Sequence, residues 1–394
     1  MDRAQGLLIR AGYRPGAMIR ALLVTLGLLL SGCIAASWLE DAVPIDDDDA
    51  SDDDDAVDDD DGADDDDSAT LCRLPVPDHI TLEHPVRGDT FVPFYVPTTG
   101  WALAALHASM QVEALALQQV ELRLSPSYFL ALALETGTFG CSESIPPDPA
   151  DSAVQWPRRP DTDAEGCMQV AEGSVWLDLC RMYPEDLPCD PDGYDDVIPS
   201  VDQGATGRDN VQPSVLATAW YAAFAYPMLA YPSGGDAGDV DAWFADAADP
   251  VAVEKVLTWM HWQTPFGPAM GEVIADCADG PVEDCLGQPT WVRDRAVAVG
   301  AHTEQLAAAP GCFDRPLTAA LVDDYVDAIA VLFPTADVSS GRAAAQAALA
   351  DAGGDGTSFQ AVADAVLAAL DDGLGVRLRC PGANLTTYYG VSCP

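Results

Sequence analysis

The sequence predicts a mainly α protein, on three observations. Ala- and Leu-rich segments of helical length recur from residue 101 to the C-terminus. Helix start and stop residues bracket several of them, Ser125 and Pro126 before one and Gly353 and Gly354 after another. Only one short run, 90–96, reads as a strand.

The elements in order begin with a targeting segment, 1–32, which is set aside from fold reasoning. Residues 21–30 are apolar and too short to span a bilayer as a helix. Arg3, Arg10, Arg14 and Arg20 precede the run, and Met18 gives a more compact start than Met1. The run ends Leu30-Ser31-Gly32-Cys33, the pattern of a bacterial lipobox, so Cys33 is the expected acylation site. Several acyl chains on one residue anchor stably by burial of CH₂ groups. Ile34 in place of an Asp after the Cys points to an outer-membrane destination in the cell envelope.

Residues 33–69 form a tether. Within it, 46–67 hold four blocks of four aspartates at a period of six. Like charges at this density repel and cannot bury a core, so an extended, disordered spacer is expected. A specific Ca²⁺ site is disfavoured, because Ca²⁺ loops alternate ligands with turn residues. Twenty-odd extended residues reach about 70 Å. The formal net charge is −46; the aspartate segment 46–67 carries 16 of those charges and residues 1–45 a net +1, leaving about −31 after residue 67. Lys255 is the only lysine. This balance argues against nucleic acid, whose phosphates need cationic partners, and against docking on anionic lipid.

Residues 70–300 are read as one domain and 301–394 as a C-terminal helical extension or a small appended domain. Helices are expected within 101–124, from Ser125 to Gly137, and over 215–231, 251–262, 291–308, 318–332, 341–352 and 359–370. Thr357 and Gln360 stand at capping-box spacing before the last of these. Residues 142–165 and 181–210 are Pro- and Asp-rich loops, longer than ordinary connections. Ten cysteines follow the tether: Cys72, Cys141, Cys167, Cys180, Cys189, Cys277, Cys285, Cys312, Cys380 and Cys393. In an oxidising compartment five disulfides are the default. Local pairs 180–189, 277–285 and 380–393 fit the spacing, and Cys141–Cys167 with Cys72–Cys312 would complete the set, but the sequence does not fix the connectivity. No C-x2-C pair or His cluster supports zinc, and neither a metal nor another cofactor is expected. The five histidines, His79, His84, His107, His261 and His302, are scattered and read as surface or core residues. No G-x-S-x-G or H-E-x-x-H pattern occurs.

One carboxylate stands out. Glu135 closes the run 125–134, which contains no other charge. Desolvation on such a helix favours the protonated form that glycoside cleavage needs. About thirty residues on, Gly166-Cys167-Met168-Gln169-Val170 reads as a tight turn.

Together these segments resemble the catalytic motifs of lytic transglycosylases and related lysozyme-like enzymes. The family pattern is a Pro, about ten residues, Glu-Ser-Gly-Phe, then Gly-Leu-Met-Gln, an Asn-Ile segment opening a helix, and a later Tyr-Asn pair. Here stand Pro126, Glu135-Thr136-Gly137 with Phe139 close behind, the turn at 166–170, and Asp209-Asn210-Val211. The Tyr-Asn pair is missing, and Trp262-Gln263 is the nearest substitute. The resemblance covers roughly residues 115–275. It implies a mainly α, lysozyme-like domain cutting the MurNAc–GlcNAc bond of peptidoglycan strands. Glu135 is then the acid that protonates the glycosidic oxygen and the base that activates the sugar's own C6 hydroxyl, giving a 1,6-anhydro product. Thr136, Met168, Gln169, Asn210, Trp262 and Gln263 are the implied substrate-binding residues. A hydrolase would need a second carboxylate, and Asp161, Asp163 and Glu165 are available in sequence. A pair of tryptophans, Trp259 and Trp262, offers sugar stacking, although two core aromatics on one helix explain them better. The alternative of another class is a catalytically silent lysozyme-like surface lipoprotein that binds glycan or a basic protein partner. A disulfide-rich surface lipoprotein with chance motif matches is the third reading. A monomer is expected.

Overall fold

In the computed structural model the described residues are 81–86, 88–91, 99–116, 121–137, 164–165, 168, 170–171, 175–189, 211–230, 237–247, 249–263, 281–286, 290–308, 316–353 and 358–393. The chain divides into Met1–Ser68, outside the described residues with Cys33 and the aspartate blocks, and Ala69–Pro394. The second unit is mainly α. Among its described residues are two antiparallel pairs of two-residue strands, β1 (Leu82–Glu83) with β2 (Thr90–Phe91) and β3 (Ala164–Glu165) with β4 (Val170–Ala171). The helices are α1 (Thr99–Ala116), α2 (Pro126–Gly137), α3 (Leu177–Met182), α4 (Val211–Met228), α5 (Ala237–Asp246), α6 (Ala252–Gln263), α7 (Thr290–Ala308), α8 (Ala319–Ala330), α9 (Val338–Ala352), α10 (Phe359–Leu374) and α11 (Gly382–Tyr389). None of the described helices is long and apolar enough to cross a membrane.

Local chemistry sets these boundaries. The Ser125 hydroxyl accepts from the Tyr128 N–H at 3.3 Å, and Pro126 opens α2, where its missing N–H costs nothing. Thr318 and Asp337 cap α8 and α9 in the same way. The cap of α10 is Ser358, accepting from Ala361 N–H at 3.3 Å, one residue on from the spacing-based expectation at Thr357. Gly353 closes α9, and Gly375 closes α10 at φ 69°, a left-handed cap that glycine adopts without strain. Three helices, α3, α5 and α11, are not marked by the sequence pattern. In α5 a Gly- and Asp-rich stretch is held helical by tertiary contacts, with the Tyr226 hydroxyl donating to Asp241 at 2.7 Å and the Tyr226 and Phe244 rings stacked 5.5 Å apart. The short α11 is held by a disulfide and by Asn384 donating to the Met182 carbonyl at 3.0 Å.

The core is built on α4, whose described side chains are buried all round, Trp220, Tyr221 and Phe224 included. A helix apolar on every face must be enclosed. Here α1, α3, α5, α6 and α8 enclose it. A buried polar knot ties the C-terminal helices to this core. His107 of α1 meets Tyr325 of α8 at 2.8 Å and Asp371 of α10 at 2.7 Å. Because the carboxylate can only accept, His107 Nε2–H donates to Asp371, leaving Nδ1 to accept from the Tyr325 hydroxyl. Gln111 donates to the same Asp371, and Trp220 of α4 donates to Gln111 at 3.0 Å.

Two expected disulfides are present, Cys180–Cys189 with Cα atoms 5.4 Å apart and Cys380–Cys393 at 6.3 Å. Cys285 is also disulfide-bonded. The expected pairs 141–167 and 72–312 lie outside the described residues, as does Cys277.

Candidate active site

Three elements converge on Glu135 in the last turn of α2. α7 packs against α2 and brings Arg295, Val299, His302 and Leu306 to one face, at spacings of four, three and four. Arg295 Nη1 donates to the Glu135 carbonyl at 3.0 Å, supplying a donor to a helix end whose carbonyls lack partners inside the helix. His302 is fully buried, and its Nε2 stands 3.1 Å from Glu135 Oε1. The third contributor is His84, just after β1, with Nε2 3.7 Å from the same oxygen. The two imidazoles meet edge to face with centroids 5.6 Å apart.

His84 is placed by backbone chemistry. Its N–H donates to the Asp89 carbonyl and its own carbonyl accepts from Gly88 N–H, closing a tight loop. Gly88 sits at φ 71° there, a conformation side chains resist. The Gln305 side-chain amide then fastens the loop to α7. It accepts from Glu83 N–H at 2.8 Å and donates to the Glu83 carbonyl at 2.9 Å, as a neighbouring strand would. Val86 N–H donates to His84 Nδ1 at 3.3 Å, which leaves Nε2 facing the carboxylate.

Glu135 itself is 14% exposed at the side chain, while the apolar body of α2 is buried. Thr136 is buried, and its hydroxyl donates to the Ala133 carbonyl at 3.1 Å, serving the helix end rather than an open surface. Met168 is fully buried. Its backbone is what the structure uses: His261 Nε2–H donates to the Met168 carbonyl at 2.7 Å, fixing the turn to α6. Burial pulls the His261 imidazole down to about 4, so the ring is neutral and a single N–H is available for that bond. Trp259 is a core residue. Gln169 and Asn210 lie outside the described residues, as do the side chains of Trp262, Gln263 and Glu165, and Asp161 and Asp163 entirely.

The reading of the histidines as scattered is corrected here: His84, Glu135 and His302 are brought together, with one ligand-capable atom of each lying within 4.8 Å of the others. They come from a loop and two helices far apart in sequence, so no spacing rule finds them. One clue was available for His302: it falls on the apolar stripe of Val292, Ala296, Val299 and Leu306, where an imidazole needs a reason to be buried.

No family model matches the chain, and no curated protein matches it. Among solved structures, it is similar to an archaeal chitinase determined in the ligand-free form, at a TM-score of 0.50 and 13% identity. The match covers 77% of this chain and 62% of the chitinase chain, so this chain spans under two thirds of that protein's length. At such identity the likeness is one of fold.

Proposed function

We propose that this protein is a glycan-cleaving enzyme, and specifically a peptidoglycan lytic transglycosylase working through Glu135. The observation that carries the reading is the setting of that carboxylate: at the end of an apolar helix, partly exposed, with its backbone held by Arg295 and its Oε1 faced by His302 and His84. A mainly α fold similar to that of a chitinase supports the coarser statement that glycan is the substrate. The motif resemblance at 125–137 and 166–170 supports the finer one.

In this mechanism protonated Glu135 gives its proton to the glycosidic oxygen as the C1–O bond breaks. The resulting carboxylate takes the proton of the sugar's C6 hydroxyl, whose oxygen closes onto C1. No water enters, and Glu135 ends protonated as it began. Intramolecular attack gains from proximity, worth roughly 7–11 kcal/mol in favourable cases. The ionisable neighbours of Glu135 among the described residues, His84, His302 and Arg295, are bases and a cation, which suits a one-carboxylate mechanism better than a paired-carboxylate hydrolysis. The lipobox Cys33 and the aspartate tether fit an enzyme anchored in the envelope and searching the wall from it.

The test is incubation of the purified protein and its Glu135→Gln variant with peptidoglycan, the products read by mass spectrometry. Anhydro-muropeptides from the wild type alone support the reading. Reducing-end products would replace it with hydrolysis. Retained glycan binding without products would favour the silent binding module.

A further inference from the structure

We infer that His84 Nε2, Glu135 Oε1 and His302 Nε2 form a binding site for one divalent transition cation of the zinc class. The distances carry the argument. Bonds of 2.0–2.1 Å in a tetrahedral zinc site set neighbouring ligand atoms about 3.3 Å apart. Glu135 Oε1 lies 3.1 Å from His302 and 3.7 Å from His84, and all three atoms fall within 4.8 Å. Two of the three edges are already near the required length, and the third closes by a movement of the more exposed His84. Three protein ligands leave a fourth position for water, with access where the Glu135 side chain is partly exposed.

The donor set chooses the metal. Two imidazoles and one carboxylate suit Zn²⁺, Co²⁺ or Ni²⁺ and disfavour Ca²⁺ and Mg²⁺, which want oxygen. Two features tune the affinity in opposite directions. The chain's net charge of −46 draws cations toward its surface, while the Arg295 guanidinium beside the site opposes them. Binding through His84 Nε2 moves that ring's proton to Nδ1, giving up the 3.3 Å bond from Val86 N–H. Val86 is exposed, so water replaces the lost partner. A cation on Oε1 also removes the acid from the cleavage step, so the loaded form would be inactive. That consequence rests on the function proposed above, whereas the binding does not.

The experiment uses the full chain, stripped with chelator and titrated with Co²⁺. Visible absorption reports four- or five-coordinate cobalt and is blind to weak oxygen binding on the aspartate tether. One equivalent giving this absorption, displaced by Zn²⁺ but not by excess Ca²⁺ or Mg²⁺, is expected. Glu135→Gln, His84→Gln and His302→Gln should each weaken zinc affinity at least ~100-fold, the upper end of what losing a mere supporting residue costs. Circular dichroism and melting confirm that the variants are folded, and His84→Gln keeps the test open should the buried His302 position not tolerate change. Absence of the cobalt absorption, or variants that bind like the wild type, overturns the site. Peptidoglycan cleavage in chelator that is suppressed by Zn²⁺ supports both site and acid. Metal binding with cleavage only when Zn²⁺ is present, or with none at all, keeps the site and sinks the acid reading.

Discussion

Glu135 depends on Arg295 for its place more than for its charge. The guanidinium is largely buried, and burial works against its cationic form while the nearby carboxylate supports it. Its bond to the Glu135 carbonyl closes the last turn of α2 and orients the side chain that follows from that backbone. Arg295→Met keeps the apolar stem and removes the donor. The expected loss is about 0.5–1.5 kcal/mol by denaturant titration, the usual worth of a partly buried hydrogen bond, with a fall in any glycan cleavage beyond what unfolding explains. An unchanged stability would mean water replaces the guanidinium without cost. Glu135 was legible in the sequence because a charge ending a charge-free run is conspicuous. His84 and His302 were not, since their meaning depends on a packing of three elements that no local pattern encodes. His261 is the core residue its position in an apolar helix predicts, but its bond to the Met168 carbonyl joins elements 93 residues apart and has no local signature.

At the scale of elements, helices with caps were readable and helices held by tertiary contact were not. Ser125-Pro126 and Gly353 gave α2 and α9 their ends, whereas α5 needed Tyr226 and Phe244 and α11 needed Cys380–Cys393. The α9–α10 pair shows what lies beyond sequence periodicity altogether. A Cβ on Gly373 would meet the Gly341 Cα at 2.6 Å and the Ser340 carbonyl at 2.9 Å, so the two helices cross backbone to backbone. Neither atom belongs to a flexible side chain that could turn away. Gly373→Ala therefore forces the helices apart, and helix propensity, which favours Ala by roughly 1 kcal/mol, is overridden. The expected net loss is about 1–3 kcal/mol, the usual penalty of overpacking, read as a lowered denaturation midpoint. A stabilised variant would show that the two helices separate at no cost and that helix propensity decides the outcome. Because α10 also carries Asp371, the same change should loosen the knot with His107 and Tyr325.

Among the described residues, Asp178, Glu254 and His261 carry shifts that bear on how stability follows pH between about 4 and 7. Desolvation pushes the Asp178 carboxyl up to about 7, with Arg181 opposing, and pushes Glu254 up to about 7, with Asp249 and Glu304 adding to the rise. Each folded value exceeds the unfolded one near 4, so each group destabilises the fold as pH rises from about 4 to 7. His261 runs the other way. Its folded value of about 4 lies below the unfolded 6.5, so its contribution is complete above 6.5 and is lost as pH falls toward 4. Between about 6.5 and 4.5 Asp178 and Glu254 gain on acidification and His261 loses, so these three groups give a net rise of roughly 1.4 kcal/mol per pH unit, and Asp186, also raised by burial, acts in the same direction. Relief of repulsion among the chain's many carboxylates acts in the same direction below that window. Melting followed from pH 7.5 down to 4.5 should therefore show stability increasing toward acid, unlike the common maximum near neutrality. Substitution separates the local terms from the general charge effect. Asp178→Asn should flatten the slope between 6.5 and 4.5 to about zero by removing one of the two protons that produce it, and His261→Phe should roughly double it by removing the one that opposes them. Equal pH dependence in the wild type and Asp178→Asn would assign the whole trend to net charge, and these buried carboxyls would then have no part in it.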